Sequence, residues 1–319
     1  MKFTLDNYFG NDPALYARKI LRECGLKAPP ICEKTVAGYL GLELKEFSLN
    51  SIPHSPGLLD IIKTACAWLQ RKSNGKSRIW VHGDTQVERK RLSIFHECGH
   101  AILPWHEDVD YLCSERDVDP IVRNRIEREA FGCGSEFLMP REMFVEDALS
   151  LETSVSAIER LRSRYVASME ATAIRYAYTH PGLCGIVMVE PSENQRPKVI
   201  VQDHAPPGQL VFPFRMPPKP LPVEDDKRYP LLVKYFVKSH RFPKYIPPGT
   251  GIEEDNPVFE TWASGRPLQD EIPASVFGSS AKWAYNAECI PLGRSGMILV
   301  LLWLPDYQLR FDFKNGVIL

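Results

Sequence analysis

The chain has 319 residues, 44% of them hydrophobic and 25% charged, the composition of a globular protein large enough for two or three domains. Its 39 basic and 40 acidic side chains leave a formal charge of -1, so no global field recruits nucleic acid or an anionic membrane. The eight cysteines form no C-x-x-C pair in a chain too large to need disulfide staples, and read as reduced, mostly buried side chains.

The opening stretch MKFTLDNYFG lacks the apolar core of a secretion signal. The longest apolar run, Met297 to Leu304, is too short to span a bilayer, so the expected location is the cytoplasm, with no membrane partner. Asp12-Pro13 opens a helix running to Cys24, and Pro29-Pro30 punctuates the chain before a second short helix from Glu33 to about Leu40. Asn74-Gly75 signals a turn, after which Arg78 to His82 has strand chemistry. From Arg89 to Leu103 the apolar residues are too dense and the run too long for a strand, and Pro104 ends it, so a helix is expected. Another helix spans about Asp119 to Leu138, with Pro120 in its first turn, and a helical zone from Ser154 to Tyr178 divides near Val166 to Ser168. After Pro181 the character changes. Residues 185–189, 198–201 and 297–303 read as strands, and the proline-rich stretch 204–230 as a long loop.

The chemistry concentrates in His96-Glu97-Cys98-Gly99-His100. On a helix, the i, i+4 spacing puts both imidazoles on one face within reach of one ion. Glu97 projects about 100° round the helix, beside such an ion but not on it, where a base for an activated water belongs. Leu92, Ile94, Phe95, Cys98, Ala101, Ile102 and Leu103 cover most of the remaining circumference, so the helix should be buried, with Ser93, His96, Glu97 and His100 as its polar strip. The bland competing reading is that the histidines merely satisfy each other or the backbone in a core.

A catalytic zinc takes three protein ligands and keeps one position open. In the helix around Ile126 to Leu138, Glu127 falls within the apolar face and needs a partner such as a dication. Glu129 falls with Arg125, Gly132 and Glu136 on the opposite face and reads as a solvated acid whose loss should leave metal binding intact. Cys98, on the far side of its helix from the histidines, reads as packing.

Arg91 to Leu103, with Ile126 to Ala130 and Phe137 to Pro140, resembles the ImmA/IrrE family of zinc metallopeptidases, an HExxH gluzincin-type group. Pro29-Pro30 with Val36 to Leu44 resembles the family's N-terminal helix and strand, and Leu161 to Tyr165 with Ser168 to Tyr176 its helix-turn-helix-like segment. The resemblance covers about residues 10 to 180. It implies an α+β fold: a zincin-like metallopeptidase domain over 1–150, a helix-turn-helix-like segment over 151–180, and an α/β C-terminal domain over 181–319, loosely GAF-like and suggestive of sensing a small-molecule ligand. It also implies zinc ligands His96, His100 and Glu127, Glu97 as catalytic base, and as substrate a helix-turn-helix repressor cut to release stress or mobile-element genes. Two departures stand out: Phe131 where the family often has Asn, and Gly132-Cys133-Gly134 where an Ala-rich stretch is commoner.

Four further features are weighed. His106 and Tyr111 follow the metal helix and could donate to a developing oxyanion, though surface-loop residues are more often inert. Arg160, Arg162, Arg164 and Arg175 could meet phosphates, but Glu159 and Glu170 are interspersed, so nucleic acid is the lesser partner. Trp262, Trp283 and Tyr285 could line a pocket, yet aromatics of a sheet domain are more often core. An extended substrate is expected to lie beside Arg78 to His82. The rival to the peptidase is a non-catalytic metal-containing regulator that binds protein, ligand or DNA, and against it stands Glu97, a base that a scaffold does not need.

Overall fold

The computed structural model describes residues 12–48, 66–71, 77–106, 120–192, 229–293 and 296–304, with 120–124 as backbone alone. The expected strand at 198–201, the Asn74-Gly75 turn and nearly all of the proline-rich stretch 204–230 lie outside the described residues. Eight helices and nine strands are present among the described residues, the mixed helix-and-sheet class expected. The contacts divide into two compact units, one taking described residues up to Phe144 with Arg162–Ser168, the other taking Val145–Leu161, Met169 to 192 and the described residues from 229 onward.

In the first unit, α1 (Pro13–Glu23) begins where expected, because the Asp12 side chain accepts the Ala14 N–H at 3.0 Å and Pro13 stands at the first helical position. Helix α2 is Glu33–Tyr39. Strands β1 (Glu43–Phe47), β2 (Ala67–Gln70) and β3 (Arg78–His82) form a small sheet in the order β1-β3-β2, with β1 parallel and β2 antiparallel to β3. This order corrects one expectation. Strand β3 is central and its ladder is used on both sides, so no extended substrate can pair with residues 78–82; β1 and β2 are the edges, and of the two β2 packs against the next helix.

That helix, α3 (Val87–Ile102), starts two residues earlier than the apolar run suggested, and every residue from Arg91 to His100 is buried. Arg91 is buried because it is paired: its guanidinium donates to the Glu33 carboxylate and to the Ile31 carbonyl, each at 2.8 Å. Helix α4 (Pro120–Leu138) packs against both α3 and α1. Two glycines set the α3–α4 spacing. A Cβ on Gly99 would lie 2.7 Å from the Ala130 carbonyl oxygen, and one on Gly134 would lie 3.0 Å from the His96 nitrogen. Glu136, expected on a polar face, is instead buried and holds Arg18 of α1 at 3.0 Å. A short helix absent from the sequence reading, α5 (Arg141–Leu149), follows.

The expected division of the next helical zone is present as α6 (Val155–Tyr165) and α7 (Met169–Thr179). In the second unit, strands β4 (Leu183–Pro191), β5 (Leu231–Lys238), β6 (Gly251–Ile252), β7 (Leu268–Pro273), β8 (Ala284–Leu292) and β9 (Met297–Leu304) form an antiparallel sheet in the order β6-β5-β4-β9-β8-β7. The first and last strands are thus central neighbours, and both are buried nearly throughout. Helix α7 packs on β4 and β5, and α8 (Pro257–Ser264) on β7, β8 and β9. Tyr285 lies in the core of this unit, stacked on Phe242 at 5.4 Å, and Trp262 and Trp283 pack against the same core. No helix among the described residues is long and apolar enough to cross a membrane.

The glycine spacing yields a direct test. Gly99→Ala should lower stability to urea by about 1–3 kcal/mol through overpacking, whereas Gly38→Ala, which meets nothing within 4 Å in α2, should be neutral or slightly stabilising.

Candidate metal centre

Helix α3 presents His96 and His100 one turn apart, and their Nε2 atoms converge to 3.0 Å. From α4, Glu127 brings Oε2 to 3.2 Å from His96 Nε2 and Oε1 to 3.8 Å from His100 Nε2. One ligand atom from each residue lies within 4.8 Å of the other two. Donors bonded to a tetrahedral zinc at about 2.0–2.2 Å are about 3.3–3.6 Å apart. The donor set therefore has both the chemistry and the convergence to hold a divalent ion.

The electrostatics of the metal-free group agree. Burial alone would raise the Glu127 pKa, but its interactions with the His100 and His96 imidazoles outweigh it and hold the carboxylate below its usual range, ionised. Burial dominates at His100 and lowers it to about 3, leaving a neutral imidazole. At His96 burial is outweighed by the Glu127 hydrogen bond and the charges of Glu97 and Glu127, and the net shift is upward. The proton drawn to His96 neutralises buried negative charge, as a bound cation would.

Glu97 stands outside the ligand set. Burial, reinforced by the nearby Glu127 charge, raises it to about 7 against the opposing pull of His96 and a hydrogen bond from the Leu69 N–H. A carboxyl group poised near neutrality beside a metal-binding cluster is equipped to take and return a proton.

Behind the ligands lies a layer that the sequence reading missed. His106 is not a surface-loop residue: it is fully buried in the turn Pro104–His106, and both its ring nitrogens are engaged. Nδ1 is 3.1 Å from His100 Nδ1, and Nε2 is 3.1 Å from Glu129 Oε2. With both nitrogens so engaged, the ring offers no free donor to an oxyanion and lies instead between His100 and Glu129. Tyr111, the other expected donor, lies outside the described residues. Glu129 is also not the solvated acid expected; its side chain is 13% exposed and accepts hydrogen bonds from Trp105, Arg125 and His106. Arg71 donates to the His100 and His106 carbonyls at 2.8 and 3.2 Å, satisfying groups that the end of α3 leaves open. The His96 side is different. Its Nδ1 is buried without a hydrogen-bond partner among the described residues, and Phe131 packs on its ring with centroids 4.4 Å apart. The only sequence signals for this layer were the Arg125–Glu129 spacing and the aromatic pair after Pro104.

Comparison with known proteins adds two findings. The model of the IrrE N-terminal-like domain, a peptidase family, matches residues 63–176. Among solved structures, a Mycobacterium tuberculosis transcriptional regulator is similar in fold, with TM-score 0.52 and 12% identity over 98% of this chain and 94% of its own. No curated protein matches the chain.

The burial of Glu97 has a measurable consequence for the metal-free protein. A native pKa raised from 4.5 to about 7 means that the folded state holds the proton more tightly than the unfolded chain. The associated stability is whole below pH 4.5 and is lost as pH rises through 7, by up to about 3 kcal/mol. Glu97→Gln cannot titrate, so in metal-free urea unfolding its stability should gain on wild type between pH 5 and pH 8. The lowered His100 contributes equally to both proteins, while loss of the Glu97 charge also lessens the upward shift of His96, which acts in the same direction. A difference independent of pH would contradict the assigned burial.

Proposed function

We propose that this chain, whose residues 63–176 match the model of the IrrE N-terminal-like peptidase domain, is a cytoplasmic zinc-dependent endopeptidase whose substrate is a transcriptional repressor of the helix-turn-helix type. The observation that carries the reading is the pairing of a three-residue ligand set with an adjacent buried carboxyl that titrates near neutrality. His96, His100 and Glu127 would hold the ion, and two imidazoles with one carboxylate are a donor set suited to zinc. When bound, such an ion lowers the pKa of water to about 7 and polarises a carbonyl.

The chain's own residues supply the remaining chemistry. Glu97 accepts the proton of the attacking water, keeps it in a desolvated pocket, and returns it to the amine of the departing peptide. The Leu69 N–H bonds to Glu97, so strand β2 borders the base. Strand β2 is at the edge of its sheet, and among the described residues it pairs only with β3. An extended segment of substrate would add to that edge through backbone hydrogen bonds, which selects a flexible stretch of protein rather than a folded one. A repressor as substrate is what the family resemblance implies, and the fold neighbour's description as a transcriptional regulator is compatible with a role in gene control.

The test co-expresses wild type or Glu97→Gln with helix-turn-helix repressors encoded nearby and follows fragments by mass spectrometry. Glu97→Gln should retain zinc and fold while cleavage falls by at least about 100-fold; His96→Ala and His100→Ala should lose both zinc and cleavage. Identical fragments and equal output from wild type and Glu97→Gln would assign the site a non-catalytic role and favour a regulator that acts by binding.

A further inference from the structure

The two ligand histidines are supported unequally, and the better-supported one ends a hydrogen-bonded chain. To offer the Nε2 lone pair to a metal, His100 must carry its proton on Nδ1. Its Nδ1 faces His106 Nδ1 at 3.1 Å, so that His106 nitrogen must be the acceptor. The His106 proton must then reside on Nε2, where it is donated to Glu129 Oε2 at 3.1 Å. The direction of the whole chain is set at its far end, because a carboxylate can only accept.

That end is anchored. Glu129 also accepts from Arg125 Nε at 2.8 Å and from the Trp105 indole N–H, and Trp105 packs edge-on against Tyr16 of α1 at 5.6 Å. The turn bearing His106 is closed by its own N–H on the Leu103 carbonyl at 3.0 Å and by Arg71 on its carbonyl. Among the described residues nothing comparable holds His96, whose Nδ1 has no hydrogen-bond partner there and whose ring rests on Phe131.

We propose that Glu129 and His106 are positioning residues that fix the tautomer and ring orientation of His100, so that a carboxylate–histidine–histidine chain tunes metal affinity from one side of the site. The inference rests on the metallopeptidase reading and adds to it the residues that prepare a ligand. Neither residue touches substrate; both act through His100. Partners of this kind are typically worth about 10–100-fold in metal affinity.

The test measures zinc affinity by chelator competition in wild type, His106→Leu, Glu129→Leu, the double variant and Glu129→Gln. It adds two readouts that a merely structural role would not move: the cobalt(II) absorption spectrum, and histidine ring 15N shifts in the metal-free and zinc-loaded wild type. Each Leu variant should weaken zinc binding by about 10–100-fold. The double variant should be no weaker than the worse single one, since both interrupt the same chain. Glu129→Gln, which keeps a carbonyl acceptor for His106, should recover most of the affinity. The 15N shifts should place the His106 proton on Nε2, and the cobalt spectrum should change in the Leu variants. Wild-type affinity in His106→Leu, or a His106 proton on Nδ1, overturns the inference and leaves the metallopeptidase reading standing. Failure of wild type itself to bind zinc overturns that reading, and this inference with it. Should the Leu variants fail to fold, the wild-type 15N assignment and Glu129→Gln decide the matter.

Discussion

The candidate ligands of α3 and α4 converge where the two backbones approach more closely than ordinary side chains allow, and this approach is the constraint on which the site depends. Gly99 faces the Ala130 carbonyl and Gly134 faces the backbone of His96, each where a Cβ would be too close. Glu127 lies two turns before Gly134 on the same face of α4, so the contact that demands glycine also brings the carboxylate to the imidazoles. The Gly132-Cys133-Gly134 stretch thus has a local physical use at Gly134. Burial follows from the same packing, because α3 is enclosed by α1, α2, α4 and the small sheet.

Burial then separates two carboxylates that the unfolded chain would treat alike. Glu127 is close enough to both imidazoles for their attraction to outweigh desolvation, and it stays ionised. Glu97, one residue from His96 yet turned off the ligand cluster, has desolvation as its largest influence. The proposed roles, one acid as ligand and the other as proton carrier, thus rest on environment rather than on residue type.

Much of this was legible in the sequence. The i, i+4 histidines, the intervening Glu97 and the placement of Glu127 inside an apolar face all follow from helical periodicity, which needs no knowledge of the partner element. What periodicity cannot show is which elements meet. Residues 78–82 have clear strand chemistry, but their central place between β1 and β2 is a fact of sheet order, and it moves the available edge to 67–70. Glu129 projects to the opposite side of α4 from the ligand cluster on a wheel, and only the fold reveals that the turn after Pro104 covers it with Trp105 and His106. Helix α5 escaped because Phe144 and Ala148 are its only fully buried side chains, too few to make a readable stripe.

The account stands or falls on whether this cluster holds a metal. Elemental analysis of the full chain, purified without a histidine tag and without added metal or chelator, tests it most directly. The predicted result is one zinc per chain in wild type and none in Glu127→Ala of unchanged helical content. Wild-type protein that is folded, yet free of stoichiometric metal and unable to take up zinc on addition, would contradict it.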